Sequence, residues 1–144
     1  MKPYLTLTTL ASLMAIATTS QALENCPEVS EIEQIAPGIY RANGEHGEWS
    51  GVLQGVVAKT APVQYFEMAL AIQEQQPAPQ YCQYCTHSLG DHDLLDLRFL
   101  AKNESDFNIK TEGDTWKKEH GPFGIIYHVC ENTAPQDCKF SLIQ

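Results

Sequence analysis

Cys26, Cys82, Cys85, Cys130 and Cys138 constrain this chain more than any other feature, because all five follow an N-terminal leader. Lys2 gives the leader its positive start. Leu5 to Ala17 is a run of apolar and small residues, and Ser20-Gln21-Ala22 is a small-x-small cleavage site. Residues 1–22 therefore read as a cleaved export signal, with the mature chain beginning at Leu23. The run is too short for a transmembrane helix, which needs about 20 apolar residues. A lipoprotein signal is the other alternative, since Leu23 stands three before Cys26. Glu24 and Asn25 are large and polar where such a signal needs small residues. The expected location is periplasmic or secreted. Cysteines that reach an oxidising compartment pair, and an odd number leaves one over.

Residues 23–144 suit a single exported domain with a modest core, which covalent staples would help. The formal net charge is −9, and losing Lys2 with the leader makes the mature chain more acidic still. Nucleic acid and anionic membranes both need basic patches, and the only adjacent basic pair is Lys117-Lys118. Neither is an expected partner, and no membrane insertion is expected after cleavage.

The hydrophobic pattern reads as strands with one helix. Ile39–Ala42 is a short strand after the Pro37-Gly38 turn. Trp49–Ala58 is another, with Trp49, Leu53 and Val57 on one face and Gly51 and Gly55 between them. Glycine inside a strand marks a close approach by another element. Thr60 as N-cap and Pro62 in the first turn predict a helix next, with a Val63-Phe66-Ala69-Leu70 stripe, ended by Pro77 and Pro79. Packed over Trp49–Ala58, it would explain both glycines. Tyr81–Cys85, Leu94–Leu100, Phe107–Lys110, Thr115–Lys118, Ile125–Cys130 and Cys138–Leu142 follow as strands. The Glu112-Gly113-Asp114 turn reads as a hairpin, and the last two strands as a pair. The fold class is α+β: an antiparallel sheet of about six to eight short strands, disulfide-stapled, with one main helix packed on it.

Cys130 and Cys138 would close the last pair of strands with a disulfide. Cys26 would dock the N-terminal arm on Cys82 or Cys85. Cys82 is favoured, because it shares a strand face with Tyr84 whereas Cys85 lies at the strand exit. Cys85 is then a free thiol that could link two chains. A redox reading of Cys82-Gln83-Tyr84-Cys85 lacks the helix N-terminus that would activate a thiol. Zinc on Cys82, Cys85, His87 and His92 would crowd all four ligands into one short stretch. Asp91, Asp93 and Asp96 offer oxygen ligands to calcium, but Gly-Asp is ordinary turn chemistry. His87, Asp91, His92 and Asp93 remain the candidate metal ligands. No cofactor is expected, and no nucleophile motif or phosphate loop occurs. His46 lies between Glu45 and Glu48 in a glycine loop, which reads as solvated. The chain leans away from being an enzyme.

Cys26-Pro27, Gly38-Ile39-Tyr40, Trp49-Ser50-Gly51, Phe66, Cys82-Gln83-Tyr84 and Cys130 with Cys138-Lys139-Phe140 together form a pattern. It resembles that of small exported gammaproteobacterial proteins carrying a disulfide-containing domain of unknown function. The resemblance implies export, disulfides and a compact α+β fold, and brings no activity. Cys85 falls outside it. The functional expectation is a non-enzymatic domain that binds a protein or glycan outside the cytoplasm, with Trp49, Trp116 or Tyr127 as anchors. Alternatives are a metal-binding protein or hydrolase built on residues 82–96, and a structural periplasmic accessory protein.

Overall fold

The computed structural model describes residues 22–53, 62–74, 78–90, 93–102 and 107–143. Residues 1–21, which hold most of the expected leader, lie outside them, as do Gly55, Val57, Thr60, Pro77, Asp91 and His92. Among the described residues the chain runs through β1 (Leu23–Asn25), β2 (Glu33–Ala36), β3 (Ile39–Asn43), β4 (Gly47–Val52) and β5 (Tyr65–Gln73). It continues through β6 (Tyr81–Gly90), β7 (Asp93–Ala101), β8 (Asn108–Glu112), β9 (Trp116–His120), β10 (Ile126–Glu131) and β11 (Lys139–Ile143). Single 3₁₀ turns at Val29–Glu31, Pro122–Gly124 and Pro135–Asp137 connect some of them.

The strands form two antiparallel sheets. The larger has the order β2-β3-β4-β7-β6-β5-β10-β9, and the smaller the order β1-β11-β8. β7 joins the two halves of the larger sheet. Its first half pairs with β6, as in His87↔Leu95, and its second with β4, as in Trp49↔Phe99. The fold is therefore nearly all β, and the expected α+β class with a main helix is wrong. Tyr65–Gln73 is a strand in the middle of the larger sheet, hydrogen-bonded to β6 and β10.

The physical reason lies in the segment Met68-Ala69-Leu70-Ala71-Ile72. An unbroken apolar run fits a helix or a fully flanked strand equally well by periodicity. Its alanines, leucine and methionine favour a helix locally. The sheet overrides that preference: Ala69, Ala71 and Gln73 are buried on one face, while Leu70 and Ile72 are half-buried on the other. The close approach at Gly51 is real, but a strand makes it. A Cβ on Gly51 would lie 2.7 Å from the Asp96 carbonyl oxygen of β7, against Leu95 and Leu97.

Strict alternation elsewhere gives the core. Leu95, Leu97 and Phe99 of β7 point inward, as do Tyr40 and Ala42 of β3 and Trp49 of β4. Phe140 of the smaller sheet packs edge-on against Trp49 and Phe99, with ring centroids 5.9 and 5.6 Å apart, and Phe107 meets Phe99 at 5.6 Å. This aromatic cluster binds the two sheets together. The expected pairings of consecutive strands change accordingly. β8 and β9 flank Gly113 yet belong to different sheets, and so do β10 and β11. The Cys130–Cys138 disulfide thus ties one sheet to the other rather than closing a hairpin.

Candidate functional site

Among the described residues, the β9–β10 hairpin carries the most exposed large hydrophobic side chain. Its strands pair without a break from Ile126↔His120 to Cys130↔Trp116. The base is anchored four ways. Cys130 is bridged to Cys138, and the Trp116 indole Nε1 donates to the Lys139 carbonyl oxygen (2.9 Å). The Thr115 hydroxyl donates to the Asp137 carbonyl (2.7 Å), and the Thr133 hydroxyl to the Asp137 carboxylate (2.7 Å). The tip, Gly121-Pro122-Phe123-Gly124-Ile125, is closed by Gly121 N–H donating to Ile125 O (2.8 Å) and Ile125 N–H donating to Pro122 O (3.1 Å). The Tyr127 ring lies over Gly121, where a Cβ would collide with it.

On this hydrogen-bonded tip Phe123 is 94% exposed. Its backbone is left-handed (φ 57°, ψ 29°), a conformation uncommon for a residue with a Cβ. Gly124 beside it is also left-handed (φ 77°). Sequence reasoning passed over Phe123. The available signal was an aromatic residue set between Gly-Pro and Gly in a turn, where burial is not on offer.

The residues expected to form sites take other roles. Trp49 is fully buried in the core, so it is not a surface anchor. Trp116 is half-buried and holds the hairpin base. Tyr127 is half-buried and supports the tip. Cys26 pairs with Cys85, not with Cys82, so Cys85 is neither free nor available to link two chains. Cys85 is fully buried and directly opposite Ala69 and Leu97, which places it in the core rather than at a strand exit. With both bridges formed, Cys82 is the cysteine outside them. Its backbone pairs with Ala71.

The His87 imidazole is fully buried beside the Cys26–Cys85 bridge. Its Nε2–H donates to the Pro27 carbonyl (2.9 Å), the Phe66 ring packs on it at 5.3 Å, and Nδ1 is buried without a partner. Burial lowers its pKa, and the hydrogen-bonded Pro27 carbonyl opposes that shift. His87 faces the core while Asp93 is exposed, so the two do not converge. Among the described residues, no three His, Cys, Asp or Glu side chains are grouped to hold a metal ion.

The family described as Protein of unknown function (DUF3757) matches residues 18–141. The chain belongs to the DUF3757 family. No curated protein and no solved structure matches it. The DUF3757 match takes in both disulfides and the whole β9–β10 hairpin. The two internal bridges suggest an oxidising location outside the cytoplasm. No helix among the described residues is long and apolar enough to cross a membrane.

Two further polar clusters of the DUF3757 chain hold structure together. Glu24 is buried in β1 and accepts the His46 backbone N–H, which pins the loop after β3; burial raises its pKa. His46 is thus held by its backbone, and its carbonyl accepts from Lys102 N–H (3.0 Å). His128 Nε2 lies 3.1 Å from both Gln80 Nε2 and Gln73 Oε1. Burial, then the Lys118 charge, lower the His128 pKa. Gln80 Oε1 accepts from Thr111 N–H (2.9 Å), so this cluster joins β5, β8 and β10 through the residue just before β6.

Proposed function

We propose that this DUF3757 chain is an exported, disulfide-stapled, non-enzymatic domain that docks on a protein outside the cytoplasm, with Phe123 as the anchor. The exposure of Phe123 carries this reading. A solvated phenyl ring gains nothing on folding, and a left-handed backbone costs a residue with a Cβ about 1–2 kcal/mol. The folded monomer has no return on either cost, whereas a partner's apolar pocket supplies one. Strain held by surrounding structure accompanies binding sites. A tip already closed by hydrogen bonds loses little entropy on docking. Aromatic anchors of this kind dominate protein interfaces. A protein fits better than a glycan, because Pro122 and Gly124 beside the ring offer no polar side chain for sugar hydroxyls. The leader and the buried disulfides support an extracytoplasmic setting.

A photoreactive benzoylphenylalanine at position 123, in the chain expressed with its leader, tests the reading. The expected result is one discrete heavier adduct from position 123 and none from the same probe at Val52, which is 60% exposed. Excess wild-type chain should suppress the adduct. Excess Phe123→Asn, which tolerates the left-handed turn but lacks the ring, should not. Equal adducts from both positions, or none from position 123, would sink it. The mass of the recovered chain reports export directly, since cleavage leaves Leu23 at the N-terminus.

A further inference from the structure

Among the described residues strand β9 ends the larger sheet, so every second N–H and C=O along it points away from β10. The other outer strand, β2, is blunted. It has four residues, a register break between Gln34 and Ala36, and Pro37 directly after it. β9, also short at five residues, has neither the register break nor a proline directly after it. Its five pairs with β10 are regular, and Lys117, Lys118, Glu119 and His120 are all exposed. What β9 does carry is the chain's one adjacent basic pair, Lys117-Lys118, on a molecule of net charge −9. Edge lysines deter a second strand unless that strand brings opposite charge.

We infer that β9 is an open sheet edge for an extended acidic segment of the partner, which adds as a further antiparallel strand. This rests on the docking role proposed for the hairpin and names the chemistry of what docks. Lys117 and Lys118 are consecutive, so they project from opposite faces of the strand. The incoming segment therefore needs acidic residues at two consecutive positions. Main-chain hydrogen bonds along β9 supply the affinity common to strand addition, and the two lysines supply the selection. An apolar residue near one end of the segment would meet the hairpin tip that Phe123 occupies. A second copy of this chain is a poorer occupant. Pairing β9 with itself about its middle residue sets Lys117 opposite Glu119 on either side, but it also sets Lys118 directly against its own counterpart, a repulsion that an acidic segment replaces with attraction.

The test uses the full exported chain and two capped hexapeptides, Thr-Val-Glu-Glu-Val-Thr and its Lys-Lys counterpart. Amide exchange and chemical shifts are followed by NMR. The acidic peptide should protect alternate backbone amides of β9, bind less tightly as salt rises, and exceed the Lys-Lys peptide by roughly tenfold. In the Lys117→Glu, Lys118→Glu double variant the preference should reverse; both positions are exposed, so the fold is not at stake. Unprotected β9 amides at millimolar acidic peptide, or a preference that does not reverse, would overturn the inference. A Phe123 adduct obtained alongside unprotected β9 amides would reject strand addition and leave the hairpin reading standing.

Discussion

At the scale of single residues, His87 shows how one buried group couples folding to pH. Burial lowers its pKa below the ordinary value of 6.5. Between that lowered value and 6.5 the unfolded chain binds a proton that the folded chain does not, so stability falls as pH drops through this window. His128 has the same sign, and Glu24, whose pKa is raised, the opposite one at lower pH. The melting temperature should therefore fall between pH 7.5 and 5.5. One proton sets a limit of about 1.4 kcal/mol per pH unit. His87→Gln, which keeps a donor for the Pro27 carbonyl, should flatten that slope in thermal melts. An unchanged slope would mean that His87 titrates normally. Phe123 and Trp49 teach the complementary lesson at this scale. Trp49, in an alternating strand, is 1% exposed, whereas Phe123, between Pro122 and Gly124 in a turn, is 94% exposed, so the element around an aromatic decides its burial and the residue type does not.

Elements owe their identity to their neighbours. β4 and β7 approach so closely at Gly51 that a methyl group has no room beside the Asp96 carbonyl. Gly51→Ala should cost about 1–3 kcal/mol in denaturant unfolding, through overpacking rather than lost backbone freedom. A neutral result would place the contact elsewhere. The alternating strands were legible because period two is a local property: Leu95, Leu97 and Phe99 point inward whatever the topology. β5 was not legible. Its apolar run satisfies helix and strand templates alike, and only the hydrogen-bond partners on both sides decide between them.

For the whole molecule, the two buried bridges set the covalent frame. Cys26–Cys85 spans 59 residues and Cys130–Cys138 spans 8. In the chain-entropy picture they are worth about 4 and about 2.5 kcal/mol respectively. Alkylation of the native and unfolded chain, followed by peptide mapping, should label Cys82 alone and recover the 26–85 and 130–138 links. A 26–82 link would contradict the fold, since Cys85 would then be a buried unpaired thiol between Ala69 and Leu97. The Cys130→Ser, Cys138→Ser pair should lower stability while leaving the aromatic cluster to hold the sheets together.

The sequence by itself determined the places of the alternating strands and the Cys130–Cys138 bridge. Each depends on residues close together in the chain. Tertiary structure decided the rest: that Tyr65–Gln73 is a strand, that Cys85 rather than Cys82 meets Cys26, and that β8 and β11 leave their sequence neighbours for a second sheet. Each of these is a choice among partners far apart in sequence. Local periodicity is blind to that choice, because the energy that settles it arises only when distant strands pair and exclude water.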